Sequence, residues 1–157
     1  MALDLKIKIN AKQISKRFGR LQSKFPRIFD KGLLQAGFHL LDIIRTKTAK
    51  GIDFRDVPFA TYSDSYRKQL QREGKPLKVD LFYSGRMLGS LSSKKTGKHK
   101  VSLGFTNAQM RQRALFNQVL NEPKREFFGF NNRTEKIISK QFNRFVEKEL
   151  RKFRIWV

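Results

Sequence analysis

Leu33-Leu34-Gln35-Ala36-Gly37-Phe38-His39-Leu40-Leu41-Asp42-Ile43-Ile44 lies at the centre of a run from Lys12 to Lys50 that governs the architecture. Within that run Ile14, Phe18, Leu21, Phe25 and Ile28 step by four and three, and Leu34, Phe38, Leu41 and Ile44 continue the stripe. This is the spacing of one buried face along a long helix. Pro26 removes an amide donor and disfavours helical geometry at Phe25, so a kink or a break into two helices is expected there. Gly32 and Gly37 either loosen the second half or let another backbone approach closely.

Upstream, Leu3, Leu5, Ile7 and Ile9 alternate with Asp4, Lys6, Lys8 and Asn10, the period of a strand with one buried face. Downstream, Gly51 to Phe59 has turn formers and no period, and reads as an ordered loop pinned by its aromatic residues. Ser63 is placed to cap a short helix from Asp64 to about Glu73, stopped by Gly74 and Pro76. Leu77, Val79 and Leu81 alternate again. Met87 to Ser92 and Lys100 to Phe105 flank a turn-forming, basic segment, which predicts a β-hairpin. Ser84-Gly85 suits a sharp structural turn into a strand starting at Arg86. Ala108 to Leu120 has helical propensity, ended by Pro123, and Asn132 or Thr134 is placed to cap a last helix. That helix carries Ile138, Phe142, Phe145 or Val146, Leu150 and Phe153 on one face. The sum is an α+β fold: a small antiparallel β-sheet packed against a long, kinked or broken N-terminal helix and a C-terminal helix.

The 157 residues fit one compact domain, residues 1–157, with fifteen Phe supplying much of its core. The absence of Cys excludes disulfides, thiolate zinc sites and Cys nucleophiles. No apolar run approaches the roughly 18 residues of a membrane span, and the start lacks the apolar core of a signal peptide, so no membrane partner and a cytoplasmic origin are expected. Thirty-five Lys and Arg against thirteen Asp and Glu give a formal charge of +22. Such a chain repels copies of itself and attracts polyanions, so nucleic acid or an acidic protein face is an expected partner.

Enzyme chemistry finds little footing. His39 stands in an apolar helical stretch, where a surface or satisfied core histidine is the ordinary reading, and His99 sits in a lysine-rich turn. Two distant histidines without cysteine do not make a zinc site. Asp53 and Asp56 have the chemistry for a divalent cation, but in so basic a chain they serve better to neutralise Arg55 or a nearby lysine. Ser84-Gly85 lacks the glycine two residues earlier that a hydrolase nucleophile elbow needs, and no phosphate-cradling glycine loop is present. No catalytic residue, metal site or cofactor is expected.

Two features point to assembly. Arg125-Glu126-Phe127-Phe128-Gly129-Phe130 precedes the last helix, and two adjacent rings on an extended segment point to opposite sides. Arg125, Phe127, Phe128 and Gly129 are therefore candidates for a subunit interface, unless both rings fold under a loop. Lys94, Lys95, Lys98 and Lys100 crowd the hairpin tip and are candidates to contact DNA phosphates or an acidic partner.

The order of these pieces resembles a known family. A strand, a long first helix, Gly51-Ile52-Asp53, Tyr62-Ser63-Asp64-Ser65-Tyr66, Leu81-Phe82-Tyr83-Ser84-Gly85-Arg86-Met87-Leu88-Gly89-Ser90, Asn117-Gln118 and Arg125-Glu126-Phe127-Phe128-Gly129 are similar to the tail-completion and neck proteins of tailed bacteriophages, including the virion morphogenesis family of Mu-like phages. The similarity runs from about Leu3 to Phe153, and departs after Gln118, where Val119-Leu120-Asn121 stands in place of a glycine. It implies a structural virion protein of the head–tail junction, made in the host cytoplasm. It also implies a homo-oligomeric ring, with a hexamer favoured, between the head-closure complex or connector and the tail tube or tail terminator, with packaged DNA as a further contact. The rivals from other classes are a stand-alone basic nucleic-acid-binding protein, and a metal-dependent nuclease using Asp53 and Asp56.

Overall fold

The computed structural model describes the backbone from Ala11 to Phe153. The strand expected over Leu3–Ile9 lies outside the described residues. The first helix, α1 (Ala11–Ala49), is one segment about 58 Å long. It passes through Pro26 without breaking into two. Proline in a helix interior costs about 3 kcal/mol, but the turn beyond it is held from outside. Ile28 is buried, and the Phe29 ring sits edge-on to Phe142 at 5.0 Å and to His99 at 4.9 Å.

Helix α1 is the spine on which two other layers pack. A hairpin of β1 (Leu91–Gly97) and β2 (Lys100–Phe105) lies on one side, antiparallel, with Leu91 opposite Phe105 and Lys95 opposite Val101. Gly37 makes the approach possible, because a Cβ there would stand 2.2 Å from Ser93 Oγ. On another side lies α5 (Asn132–Arg151), where Gly32 faces Phe142 and Phe145 so closely that a Cβ would meet both rings at 3.0 Å. Both glycines therefore admit a neighbour. The α5 cap is Asn131, one residue before the sequence expectation: its Oδ1 accepts the Thr134 amide at 2.9 Å and the Thr134 hydroxyl at 3.0 Å.

Ser63 caps α2 (Asp64–Arg72), accepting the Tyr66 amide at 3.4 Å. Two strand expectations are corrected. Leu77 to Leu81 is irregular: Val79 is buried, but Leu81 takes φ 53° and Asp80 accepts the Phe82 amide at 2.9 Å, a local turn that no ladder can contain. Arg86–Gly89 is one helical turn, α3, and the strand starts only at Leu91. Met87 and Leu88 are adjacent and both buried, which a strand with one solvated face cannot achieve. Gly85 at φ 69° supplies the sharp entry into α3, so Ser84-Gly85 is a turn, though into a helix.

Helix α4 (Ala108–Leu115) is capped by Asn107 and runs on into a π-helical turn, Phe116–Leu120, closed by the Asn121 amide on the Phe116 carbonyl at 2.8 Å. The core is one cluster joining Leu41 and Ile44 of α1 to Phe59, Val79, Met87, Leu88, Leu91, Met110, Ala114 and Phe127. Among the described residues no helix is long and apolar enough to cross a membrane.

Candidate functional site

The segment Arg125–Gly129 is the keystone of a framework of loops. The Arg125 guanidinium donates to the carbonyls of Ala60 at 3.3 Å and Thr61 at 3.1 Å, and lies 5.0 Å from the centre of the Tyr62 ring. Its backbone amide donates to the Asn117 carbonyl at 2.7 Å. The Gln118 side chain does the work of a strand, donating to the Phe128 carbonyl at 3.1 Å while accepting the Phe128 amide at 3.0 Å. The Phe54 amide donates to the Glu126 carbonyl at 3.1 Å, and Arg55 pairs with the Glu126 carboxylate at 2.8 Å. Gly129 lies under the Phe54 ring, where a Cβ would come within 2.9 Å.

This geometry places the Phe127 ring in the protein's own core, away from any partner, and leaves Phe128 partly exposed beside it. The Phe127 amide donates back to the Arg125 carbonyl at 3.0 Å, a tight turn that ends the alternation on which opposite-facing rings depend. Both rings then converge on Phe105, with centroid distances of 6.4 Å from Phe127 and 5.6 Å from Phe128. Phe127 is 1% exposed and Phe128 is half-buried. Arg125 is buried and Gly129 is approached by the Phe54 ring, so these four residues help hold the chain's own fold together. The exposed ring of the segment is Phe130.

Asp53 and Asp56 serve the same framework. Buried Asp53 accepts the amides of Arg55 and Val57, both at 2.8 Å, and the Arg55 side chain at 3.0 Å. Asp56 pairs with Lys47 at 2.7 Å and accepts from Asn131 at 2.7 Å, and these two partners hold its carboxyl below the ordinary range. Among the described residues no group of three or more His, Asp or Glu side chains is arranged to hold a metal ion.

Beside the keystone opens a cleft of about 430 Å³ that gathers Tyr62, Tyr66, Tyr83, Ser84, Gly85, Asn117 and Arg125. Tyr62 and Tyr66 meet edge-to-face at 4.9 Å. Burial raises the pKa of both phenols, so they stay protonated hydrogen-bonding groups at neutral pH. Tyr83 donates to Glu73 at 2.9 Å and carries the Lys75 ammonium 3.2 Å from its ring centre. Lys75 above all, then Gln69 and Tyr83, hold the Glu73 carboxyl down at about 2. The cleft offers aromatic faces and hydrogen-bond donors, which suits recognition of a partner chain.

Phe116 and Tyr83 of the cleft belong to two exposed apolar segments. Leu115, Phe116, Val119 and Leu120 on α4 and the π-helical turn, and Phe82 and Tyr83 before Ser84, are each between 44% and 59% exposed. The spacing 115, 116, 119, 120 carries the signal of an apolar helix face, but sequence alone does not tell whether such a face is buried or bare. At the hairpin tip, Lys94 and Lys95 lie within β1 rather than in the turn. Lys95 and His99 are tied to Asp30 of α1, whereas Lys94, Lys98 and Lys100 are exposed and form no ion pair among the described residues. His39 is exposed on α1.

No protein-family model, curated protein or solved structure matches the chain.

Proposed function

We propose that this chain is a structural subunit of the head–tail junction of a tailed bacteriophage, building a ring between the head-closure complex and the tail tube. One observation carries the reading. The motifs by which the sequence resembles neck and tail-completion proteins are far apart in the chain, yet Tyr62, Tyr66, Ser84, Gly85, Asn117 and Arg125 line one cleft, while Gln118 clamps Phe128 and Asp53 joins the same segment through Arg55 and Glu126. Phe116 and Tyr83 of that cleft continue into exposed apolar segments of the kind that partner subunits cover. In this reading Phe116 and Leu120 of these segments dock on the neighbouring subunit. The exposed Lys94, Lys98 and Lys100 meet acidic faces of adjoining components or packaged DNA. Compensation of the +22 charge by such partners is what lets copies approach one another.

The formal charge also favours a second reading, a stand-alone basic protein that coats nucleic acid as a monomer. Native mass spectrometry and negative-stain imaging of the full chain separate the two. The ring reading expects closed oligomers that form with rising concentration or when a polyanion relieves the repulsion. A monomer under all of these conditions overturns it. Phe116→Asp with Leu120→Asp is expected to keep the fold and abolish the ring.

A further inference from the structure

We propose that the outward face of α1, carrying Lys16, Arg20, Lys24, Arg27 and Lys31, is a binding surface for the phosphate backbone of double-stranded DNA. The five cations are spaced by four, four, three and four residues, which places them in one stripe along the helix. All five are exposed, and none forms an ion pair among the described residues, although Lys31 at the α5 edge lies near enough to Glu149 to help hold its carboxyl below the ordinary range, after Lys152. From Phe29 onward the other sides of the helix are occupied, Gly32 and Phe29 facing α5 while Asp30 and Gly37 face the hairpin; nearer the start of α1, Phe18 and Phe25 are exposed on the side away from the stripe. Asp30 is the one acidic residue between positions 16 and 31, and it is turned away from the stripe to hold Lys95 and His99. Lys24, whose ammonium lies 5.7 Å from the Phe153 ring, marks the edge nearest α5.

Like charges at these spacings repel, so the stripe lowers helix stability unless an anion lies along it. The demand is for a linear array of negative charge. The stripe is about 22 Å long, and a duplex of that length presents about 13 phosphates. The basic stripe of α5 differs, since Lys136, Lys140 and Arg144 share their surface with Glu135 and Glu147. Duplex is favoured over single strands because the stripe holds no ring on which a base could stack: Phe18 and Phe25 fall on the opposite side of the helix. Contact with phosphates alone is insensitive to sequence.

This surface goes beyond the ring reading and is tested on the isolated full chain, so loss of either leaves the other standing. Five phosphate contacts predict a slope of log K against log salt of about −4.5, or roughly a 500-fold loss of affinity between 50 and 200 mM salt. Fluorescence anisotropy with a labelled 20-base-pair duplex reads this slope. The variant Lys16→Gln, Arg20→Gln, Lys24→Gln, Arg27→Gln, Lys31→Gln is expected to flatten it by about 4, and replacing the three lysines by arginine is expected to retain it. Glutamine is a good helix former, so circular dichroism should show α1 intact. The matched control, Lys136→Gln, Lys140→Gln, Arg144→Gln, Lys148→Gln, Arg151→Gln, removes the same charge and should change the slope by less than about 1. Equal flattening by both variants would overturn the proposal, as would polyglutamate binding the α1 stripe with the same slope as the duplex.

Discussion

Replacing Phe127 by alanine separates a core residue from a docking residue. The ring is 1% exposed, belongs to the central cluster and packs against Phe105 and Phe128. Truncating a buried phenylalanine to alanine costs about 3–5 kcal/mol through lost transfer energy and the cavity left behind. With a urea m-value of about 2 kcal/mol/M, the unfolding midpoint should fall by roughly 1.5–2.5 M. Phe128 is half-buried on the same cluster, so Phe128→Ala should cost about half as much, and Phe130→Ala, at 54% exposure, should stay within about 0.5 kcal/mol. Urea titration followed by circular dichroism ranks the three. A Phe127→Ala protein with an unchanged midpoint but impaired self-association would refute the core assignment and restore the ring to an interface.

Gln118→Ala strands the amide and carbonyl of half-buried Phe128 together, and should destabilise by about 1–3 kcal/mol with faster amide exchange at Phe128; unchanged exchange would contradict the clamp. Gly37→Ala forces a Cβ against Ser93 Oγ and should cost about 1–3 kcal/mol. In a Ser93→Ala background, which also removes a buried hydroxyl lacking a hydrogen-bond partner, the cost should shrink by about 1 kcal/mol, and strict additivity by calorimetry would contradict the contact. Asp30 is held down at about 2, chiefly by Lys95 and then by His99, from an ordinary value of 3.8. A depressed carboxyl stabilises above its unfolded value and loses that contribution as pH falls, so the hairpin tip should loosen from α1 between about pH 4 and pH 2. The His99 amide, which donates to Asp30 at 2.8 Å, should report this by hydrogen exchange, and Asp30→Asn should remove the dependence.

The periodic parts of the fold were legible from residues alone. The helical course of α1, the caps and stops of α2 and the face of α5 follow from spacing, but the buried face expected along α1 holds only in part: Ile28, Leu41 and Ile44 are buried, whereas Phe18, Phe25 and Phe38 are exposed because no other segment among the described residues packs over them. The hairpin was legible in kind but displaced in position. Met87 and Leu88 carry apolar signals that fit either a strand or a helical turn, and only burial of both together selects the turn. Pro26 argues locally for a break, and the contacts made by Phe29 outweigh it.

Composition and pattern established an α+β chain with a large surplus of positive charge, but the core is mainly aliphatic: Phe59 and Phe127 are its only buried phenylalanines among the described residues, and Phe18, Phe25, Phe38, Phe82, Phe116 and Phe130 are exposed. Three-dimensional packing decided which of those residues are covered and which are left exposed. Phe127 and Phe128 turn inward because a tight turn at Glu126 and the Gln118 side chain reshape their backbone, an effect of residues ten positions away. Gly37 and Gly32 matter through neighbours more than 50 and 100 positions distant. Helix period and charge act through neighbouring residues and can be read along the chain. Which rings are covered, and which cations keep an acidic partner, depends on segments that meet only when the chain folds.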